Sequence, residues 1–368
     1  MSGWVKAVGM VSSLGGLLQA AAAYRAGMSR PSDAPDFELF LKGDEAPSRV
    51  TVHAAGTATL GFSGVGRLVA LLVEALGDLG SREALGALGA GAGLYLVLPD
   101  PEARGFTTSK EPDGEDPDAV SERIALLADR LVKGAWQALG LPGWRGPVRT
   151  FHAGNAAFAQ ALAAAEEDLR GRKVESALLC AVDSLLSLET LELLNREQRL
   201  KTPGRPTGLM AGEAAVALVL TREPPSEPAM TVVRVAEARD ATPLDAEQPP
   251  DGEALARQVL AALGPLAPDA PVPLLVSDHD GQYVRAYEWG MLRVRLRDRD
   301  ARFERCAVWM PAKSFGHTGV ASGAVATALA FRALQRGYAP APSILVLSSA
   351  DAGERAVVHL AAARKRGA

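Results

Sequence analysis

His317 stands between glycines in Phe315-Gly316-His317-Thr318-Gly319, four residues after Lys313, where an apolar run gives way to an alanine-rich segment. An imidazole at such a turn can hydrogen-bond a carbonyl or move a proton near neutral pH. The Lys313 ammonium adds positive charge of the kind that stabilises a developing oxyanion. A second histidine, His279, ends the run Leu274-Leu275-Val276-Ser277-Asp278-His279-Asp280-Gly281. Its two flanking carboxylates are expected to favour the imidazolium form. They do not suggest a metal centre, because neighbouring strand residues point to opposite faces. A third turn residue, Asn155 in Phe151-His152-Ala153-Gly154-Asn155-Ala156, offers an amide that can donate a hydrogen bond but is no nucleophile. Cys180 and Cys306 lie inside apolar runs away from these turns, where a cysteine packs as a small hydrophobe.

Short β-branched or leucine-rich runs alternate with alanine-rich stretches of helical period, the pattern of helices covering a sheet. Strands are expected at Val5–Val11, Gly93–Leu98, Val148–Phe151, Ser176–Val182 and Ala214–Leu220, and then at Met230–Ala236, Pro273–Ser277, Arg305–Met310, Ser343–Leu347 and Ala356–Ala361. Helices are expected at Gly64–Leu79, Asp118–Leu139, Ala156–Leu169, Glu189–Arg199, Glu253–Leu263, Tyr283–Arg293 and Ala321–Arg336. A strand that ends abruptly and feeds a helix presents free backbone N–H groups and the positive end of the helix dipole. Gly154, Gly316 and Gly319 sit at two such turns and permit close approach of backbone and substrate. Taken singly, each glycine serves tight helix–sheet packing equally well.

The closing parts of two halves repeat. Phe151-His152-Ala153-Gly154, the strand to Asp183 and Gly212-Glu213 before a strand recur as Phe315-Gly316-His317, the strand to Asp351 and Gly353-Glu354 before a strand. Three elements in one order favour a duplicated α/β unit whose two turns face one site. Pro224, Pro225 and Pro228 break both periods, so the halves divide as 1–222 and 223–368.

Composition bounds the remainder. The chain has 368 residues, 48% hydrophobic and 22% charged, with 39 basic and 43 acidic side chains and a net charge of -4. Lacking a basic block, it carries no footprint of a nucleic-acid binder. Its two cysteines give neither a disulfide framework nor a zinc spacing, and a reducing cytoplasm suits them. The start, Val8-Gly9-Met10-Val11-Ser12-Ser13-Leu14-Gly15-Gly16, is too interrupted for a signal peptide and reads as strand, glycine turn and helix. No uninterrupted apolar stretch is long enough to insert in a membrane. The loop Thr107–Pro117 and the acidic stretch Asp113–Asp118 read as a solvated linker, and Trp136, Trp144 and Trp289 as core or dimer surface.

The opening strand and glycine turn, the run from Ala181-Val182-Asp183 through Leu200-Lys201-Thr202 to Gly212-Glu213, and Ala312-Lys313-Ser314-Phe315-Gly316-His317-Thr318-Gly319 together resemble the β-ketoacyl synthases of the thiolase-like superfamily. The resemblance spans nearly the whole chain in order. It implies two βαβαβαββ halves packed as a five-layered α-β-α-β-α sandwich, a homodimer, and a site for acyl chains on a pantetheine thiol, with no added cofactor. In that family a cysteine on the first-half turn and two second-half histidines do the chemistry. Asn155 stands 28 residues before Asp183, where the resemblance places the cysteine. His317 and Lys313 match the family's histidine and lysine, and Glu213 its structural glutamate. His279 falls where the other histidine is expected, but is followed by Asp280-Gly281 instead of Gly-Thr.

The expectation is therefore a synthase-like protein that does not condense. As a binding protein it would partner an active synthase, as chain length factors do, meet an acyl carrier protein, or chaperone an effector, since degenerate thiolase-like proteins occur beside type VI secretion effectors. As an enzyme it would use His317, with His279 or Asn155, as an acyltransferase or malonyl decarboxylase.

Overall fold

The computed structural model describes residues 3–40, 45–80, 82–88, 91–105, 117–227, 229–244, 246–267 and 269–363. In the first half the order is β1 (Gly3–Ser12), β2 (Gly15–Gly16), α1 (Leu17–Arg25), β3 (Ser32–Leu39), β4 (Ser48–Val52), α2 (Gly56–Thr59), α3 (Gly64–Leu79), α4 (Arg82–Gly86), β5 (Ala92–Val97), α5 (Pro117–Leu139), β6 (Val148–Phe151), α6 (Ala157–Arg170), β7 (Ser176–Ser184), α7 (Leu188–Arg196) and β8 (Glu213–Thr221). The second half runs β9 (Met230–Arg239), α8 (Glu253–Leu263), β10 (Leu274–Val276), α9 (Tyr283–Arg299), β11 (Val308–Trp309), α10 (Ala312–Phe315), α11 (Ser322–Arg336), β12 (Ser343–Ser349) and β13 (Glu354–Ala362).

The strands follow one pairing scheme used twice. In the first half the order is β1-β8-β7-β5-β6, and in the second it is β9-β13-β12-β10-β11. Each begins with two antiparallel pairings and continues with two parallel ones. The two orders join where Gly3–Val5 of β1 pairs with Met230–Val232 of β9. The parallel members β5 and β10 are buried along their length, as strands covered on both faces must be.

Burial orders the layers. On α11, Gly323 through Phe331 are buried without a break, so this helix has no solvent face and must lie inside the molecule. Together with α6 it shares one apolar core with inner residues of both half-sheets, among them Leu179, Leu218, Val346 and Val358. Alanine and glycine keep both helices slim enough for that middle position. A second core places α3 and α5 on the outer face of the first half-sheet, through Leu71, Leu72 and Leu131. A third places α8 and α9 on the outer face of the second, through Val259 and Leu292. The result is the five-layered α-β-α-β-α arrangement.

Several elements depart from expectation. The strand expected over Arg305–Met310 shrinks to Val308–Trp309, because a 3-10 segment at Ala301–Arg305 takes up the approach. α9 continues to Arg299, six residues past its expected end, with Leu296 buried against the outer core. The hairpin β3–β4 had no counterpart in the sequence reading; it packs Phe37, Val50 and Val52 over Leu191 and Leu194 of α7. Of the loop expected at Thr107–Pro117, residues 107–116 lie outside the described residues, as do 113–116 of the acidic stretch, whereas Pro117 and Asp118 begin α5. Among the described residues no helix is long and apolar enough to cross a membrane.

Candidate functional site

Two tight turns meet at the middle of the molecule. After β6 the chain enters a 3-10 turn, Gly154–Ala156, that leads into α6; after α10 a matching turn, Gly319–Ala321, leads into α11. Gly154 and Gly319 have φ of 51° and 55°, the left-handed region that glycine tolerates best. At Gly319 the close approach is also obligatory, because a Cβ would lie 1.8 Å from Asp183 Oδ2. That carboxylate accepts from the backbone N–H of Val320 at 3.0 Å and from Arg104 at 2.9 and 2.8 Å. Gly316 (φ 69°) is wedged under Met210 O and the His53 ring. His317 is pinned by its own backbone, donating to Met210 O at 2.7 Å and accepting from Gly212 N at 3.0 Å.

The side chains around these turns form a buried polar network. Asn155 Nδ2 donates to Asp278 Oδ2 at 2.9 Å. The same oxygen accepts from the backbone N–H of Ser349 at 2.7 Å and from Arg285 Nη1 at 3.3 Å. Arg285, 4% exposed, donates also to Ser349 O at 2.6 Å and to Asp351 Oδ1 at 2.7 Å, and lies 3.4 Å from Asp280. Arg199 holds the other oxygen of Asp351 at 2.6 Å and donates to Gln282 at 2.8 Å. Asp280 meets Nδ1 of His317 at 3.0 Å. This contact orients the imidazole ring of His317.

Charge and burial work against each other here. Burial pushes the Asp280 carboxyl up, but its hydrogen bond with His317 and the nearby Arg285 more than offset this and hold it well below the usual carboxylate range. Asp351 is likewise opposed by burial and still brought down to about 2 by Arg285 and Arg199. For Arg285 burial favours the neutral form, but Asp351, Asp280 and Asp278 outweigh it and push the guanidinium up.

The expected site residues divide. The structure brings Asn155, Gly154, Gly316, Gly319 and His317 to one locus. The residue that meets Asn155 is Asp278, the neighbour of His279 in the segment that follows β10. His279 is half-buried, donates its backbone N–H to Ser277 Oγ at 3.1 Å, and leaves Nδ1 without a partner. Its expected imidazolium character is corrected: burial lowers its pKa and outweighs the attraction of Asp280 and Asp278. Lys313 is exposed on α10 and lines a different cavity from His317. The cavity beside Asp278 and His317, closed by Phe315 and Leu347, measures about 20 Å³, room for about one water.

Glu213 accepts from Ala55 N, Thr59, Arg67 and Ser184 and is fully buried, a cross-brace between β8 and α3. Cys180 is buried in β7, and burial pushes its thiol up; Cys306 is half-buried and shifted the same way. Among the described residues no group of three His, Cys, Asp or Glu side chains is arranged to hold a metal ion. Arg285 and Arg199 were not singled out in the sequence as site residues, and Asp351 was marked only as the end of a repeated strand. The signal that bears on them is the repeat itself: Asp351 follows β12 as Asp183 ends β7, and each holds an arginine.

No family model matches the sequence, and neither does any curated protein. Solved structures do. A type II PKS acyl-carrier protein in complex with its ketosynthase aligns at a TM-score of 0.75 and 15% identity, over 98% of this chain and 99% of that one. The chain has the ketosynthase fold. A ketosynthase in complex with its chain length factor from Xenorhabdus doucetiae gives 0.72 at 16% identity, covering 98% of each chain. The ishigamide ketosynthase/chain length factor gives 0.71 at 18%, covering 99% of each. This thiolase-like, ketosynthase fold spans the full length of such subunits, and the buried network described above occupies its centre.

Proposed function

We propose that this ketosynthase-fold chain, with halves 1–222 and 223–368, does not condense acyl groups and acts as a partner subunit, in the manner of a chain length factor. The observation that carries this reading is the 2.9 Å hydrogen bond from Asn155 to Asp278. The nucleophile's turn carries an amide, and the group facing it is a carboxylate already engaged by Arg285 and Ser349. A carboxylate there repels both a malonyl carboxylate and the oxyanion of a thioester under attack, the reverse of what condensation needs. The water-sized cavity leaves an acyl chain no room beside His317. Ketosynthase–chain length factor and ketosynthase–carrier protein complexes among the similar structures support a protein partner of that class. In a second copy of this chain or an active synthase, the docking element would be the edge strand β6, with Val148 46% exposed.

A second reading has its own observation. The Asp280 carboxylate lies 3.0 Å from His317 Nδ1, the carboxylate–imidazole arrangement that a general base uses. With His317 as the base and His279 or Asn155 as its partner, acyl transfer or malonyl decarboxylation would follow without a cysteine.

Purified protein incubated with malonyl and long-chain acyl thioesters, on coenzyme A and on carrier protein, separates the two. The expected result is no acyl adduct by intact mass and no carbon dioxide. Decarboxylation lost on His317→Ala, or a stable adduct, would overturn the partner-subunit reading.

A further inference from the structure

A second concave site lies on the far side of α10 from His317. It measures about 640 Å³, within the range of small-molecule sites, and is walled by Tyr24, Trp309 and Tyr338. The aromatic walls are held in place. Tyr24 accepts a hydrogen bond from Met310 N at 3.1 Å, packs edge-on against Trp309 at 5.7 Å and stacks on Phe315 at 5.9 Å. Two cations, Arg25 and Lys313, line the site, and no carboxylate does. Neither has an ion-pair partner among the described residues; the Arg25 guanidinium instead lies over the Tyr338 ring at 4.8 Å.

We propose that this cavity binds an organic anion built on a flat ring, such as a nucleoside monophosphate, with the ring against Trp309 and Tyr338 and the anionic group between Arg25 and Lys313. Aromatic faces take a planar ring by stacking, and an arginine with a lysine at one rim supplies the charge-assisted hydrogen bonds that phosphate or carboxylate oxygens accept. The site is separate from the Asn155–Asp278 network, and its occupation does not depend on whether the protein is a partner subunit or an enzyme. It also gives Lys313 a role that its exposure away from His317 leaves open.

Calorimetric titration with adenosine 5′-monophosphate, adenosine and inorganic phosphate tests this. The monophosphate is expected to bind about tenfold or more tightly than either part alone, and Lys313→Gln or Arg25→Gln to weaken it about tenfold. Trp309→Leu, with circular dichroism unchanged, is expected to weaken the monophosphate and leave inorganic phosphate unaffected. Lys133→Gln, on α5, serves as a control for general charge attraction. No heat with the monophosphate, phosphate binding as tightly as the monophosphate, or equal weakening by the Lys133 variant would each overturn the proposal.

Discussion

Asn155, on the turn into α6, and Asp278, two residues after β10, are joined by a 2.9 Å hydrogen bond across 123 residues of sequence. This bond links the first-half turn to the second-half sheet and places an anion opposite the helix turn. Replacing Asn155 by cysteine is therefore not expected to restore condensation. A thiol facing the Asp278 carboxylate has its pKa raised and is mostly protonated at neutral pH. Intact mass after exposure to acyl thioesters should show no adduct on Asn155→Cys, whereas the Asn155→Cys, Asp278→His pair is the variant in which one could form. Asn155→Ala, leaving Asp278 with Arg285 and Ser349, should cost about 1–2 kcal/mol in urea unfolding.

Gly319 supplies a steric test of the Asp183 brace. A Cβ at this position would lie 1.8 Å from Asp183 Oδ2, so Gly319→Ala must displace the carboxylate that holds Arg104 and Val320 N. A loss of about 3 kcal/mol or more is expected. Gly337, at a similar φ of 67°, meets nothing within 4 Å, and Gly337→Ala should cost only about 1 kcal/mol. The difference between the two melting temperatures reads the clash apart from the backbone strain.

Glu213 joins β8 to α2 and α3 by accepting from Thr59, Arg67, Ser184 and the backbone of Ala55. Glu213→Ala leaves the Arg67 guanidinium without its carboxylate, with only Phe62 O as an acceptor, and should destabilise the fold by about 3–5 kcal/mol. Glu213→Gln, which keeps the shape and some acceptors, should lose less. Chemical denaturation of both variants checks the order.

Acid should unfold the protein in two stages. Burial lowers the His53 pKa to about 4, so the folded state keeps this ring neutral while the unfolded chain takes up a proton below its ordinary value of 6.5. Stability is thus full above pH 6.5 and falls as the pH drops toward 4. For Asp351, where burial is outweighed by Arg285 and Arg199, the folded pKa of about 2 lies below the ordinary 3.8. Its contribution is present above pH 3.8 and lost as the pH falls through 2. Urea midpoints should hold above pH 6.5 and decline below it, and His53→Gln should flatten the upper part of the decline.

The repeated turns, the strand ends at Asp183 and Asp351 and the alanine-rich α6 and α11 were legible in the chain, because period, glycine placement and small side chains are local properties. The short β11 and the β3–β4 hairpin were not, since their pairing depends on neighbours distant in sequence. The site shows the same division. His317 was marked by its glycines, whereas no local pattern marked Asp278 as the partner of Asn155, which lies 123 residues away.

By itself the sequence pointed to two α/β units of one design facing each other through two glycine turns, with Asn155 and His317 on those turns. The tertiary structure decided what those turns would meet. Asp278, Arg285, Asp351 and Arg199 come together across as many as 152 residues, and Lys313 turns to a separate aromatic cavity. Such contacts are set by how whole layers stack, and the sequence carries no local period for them.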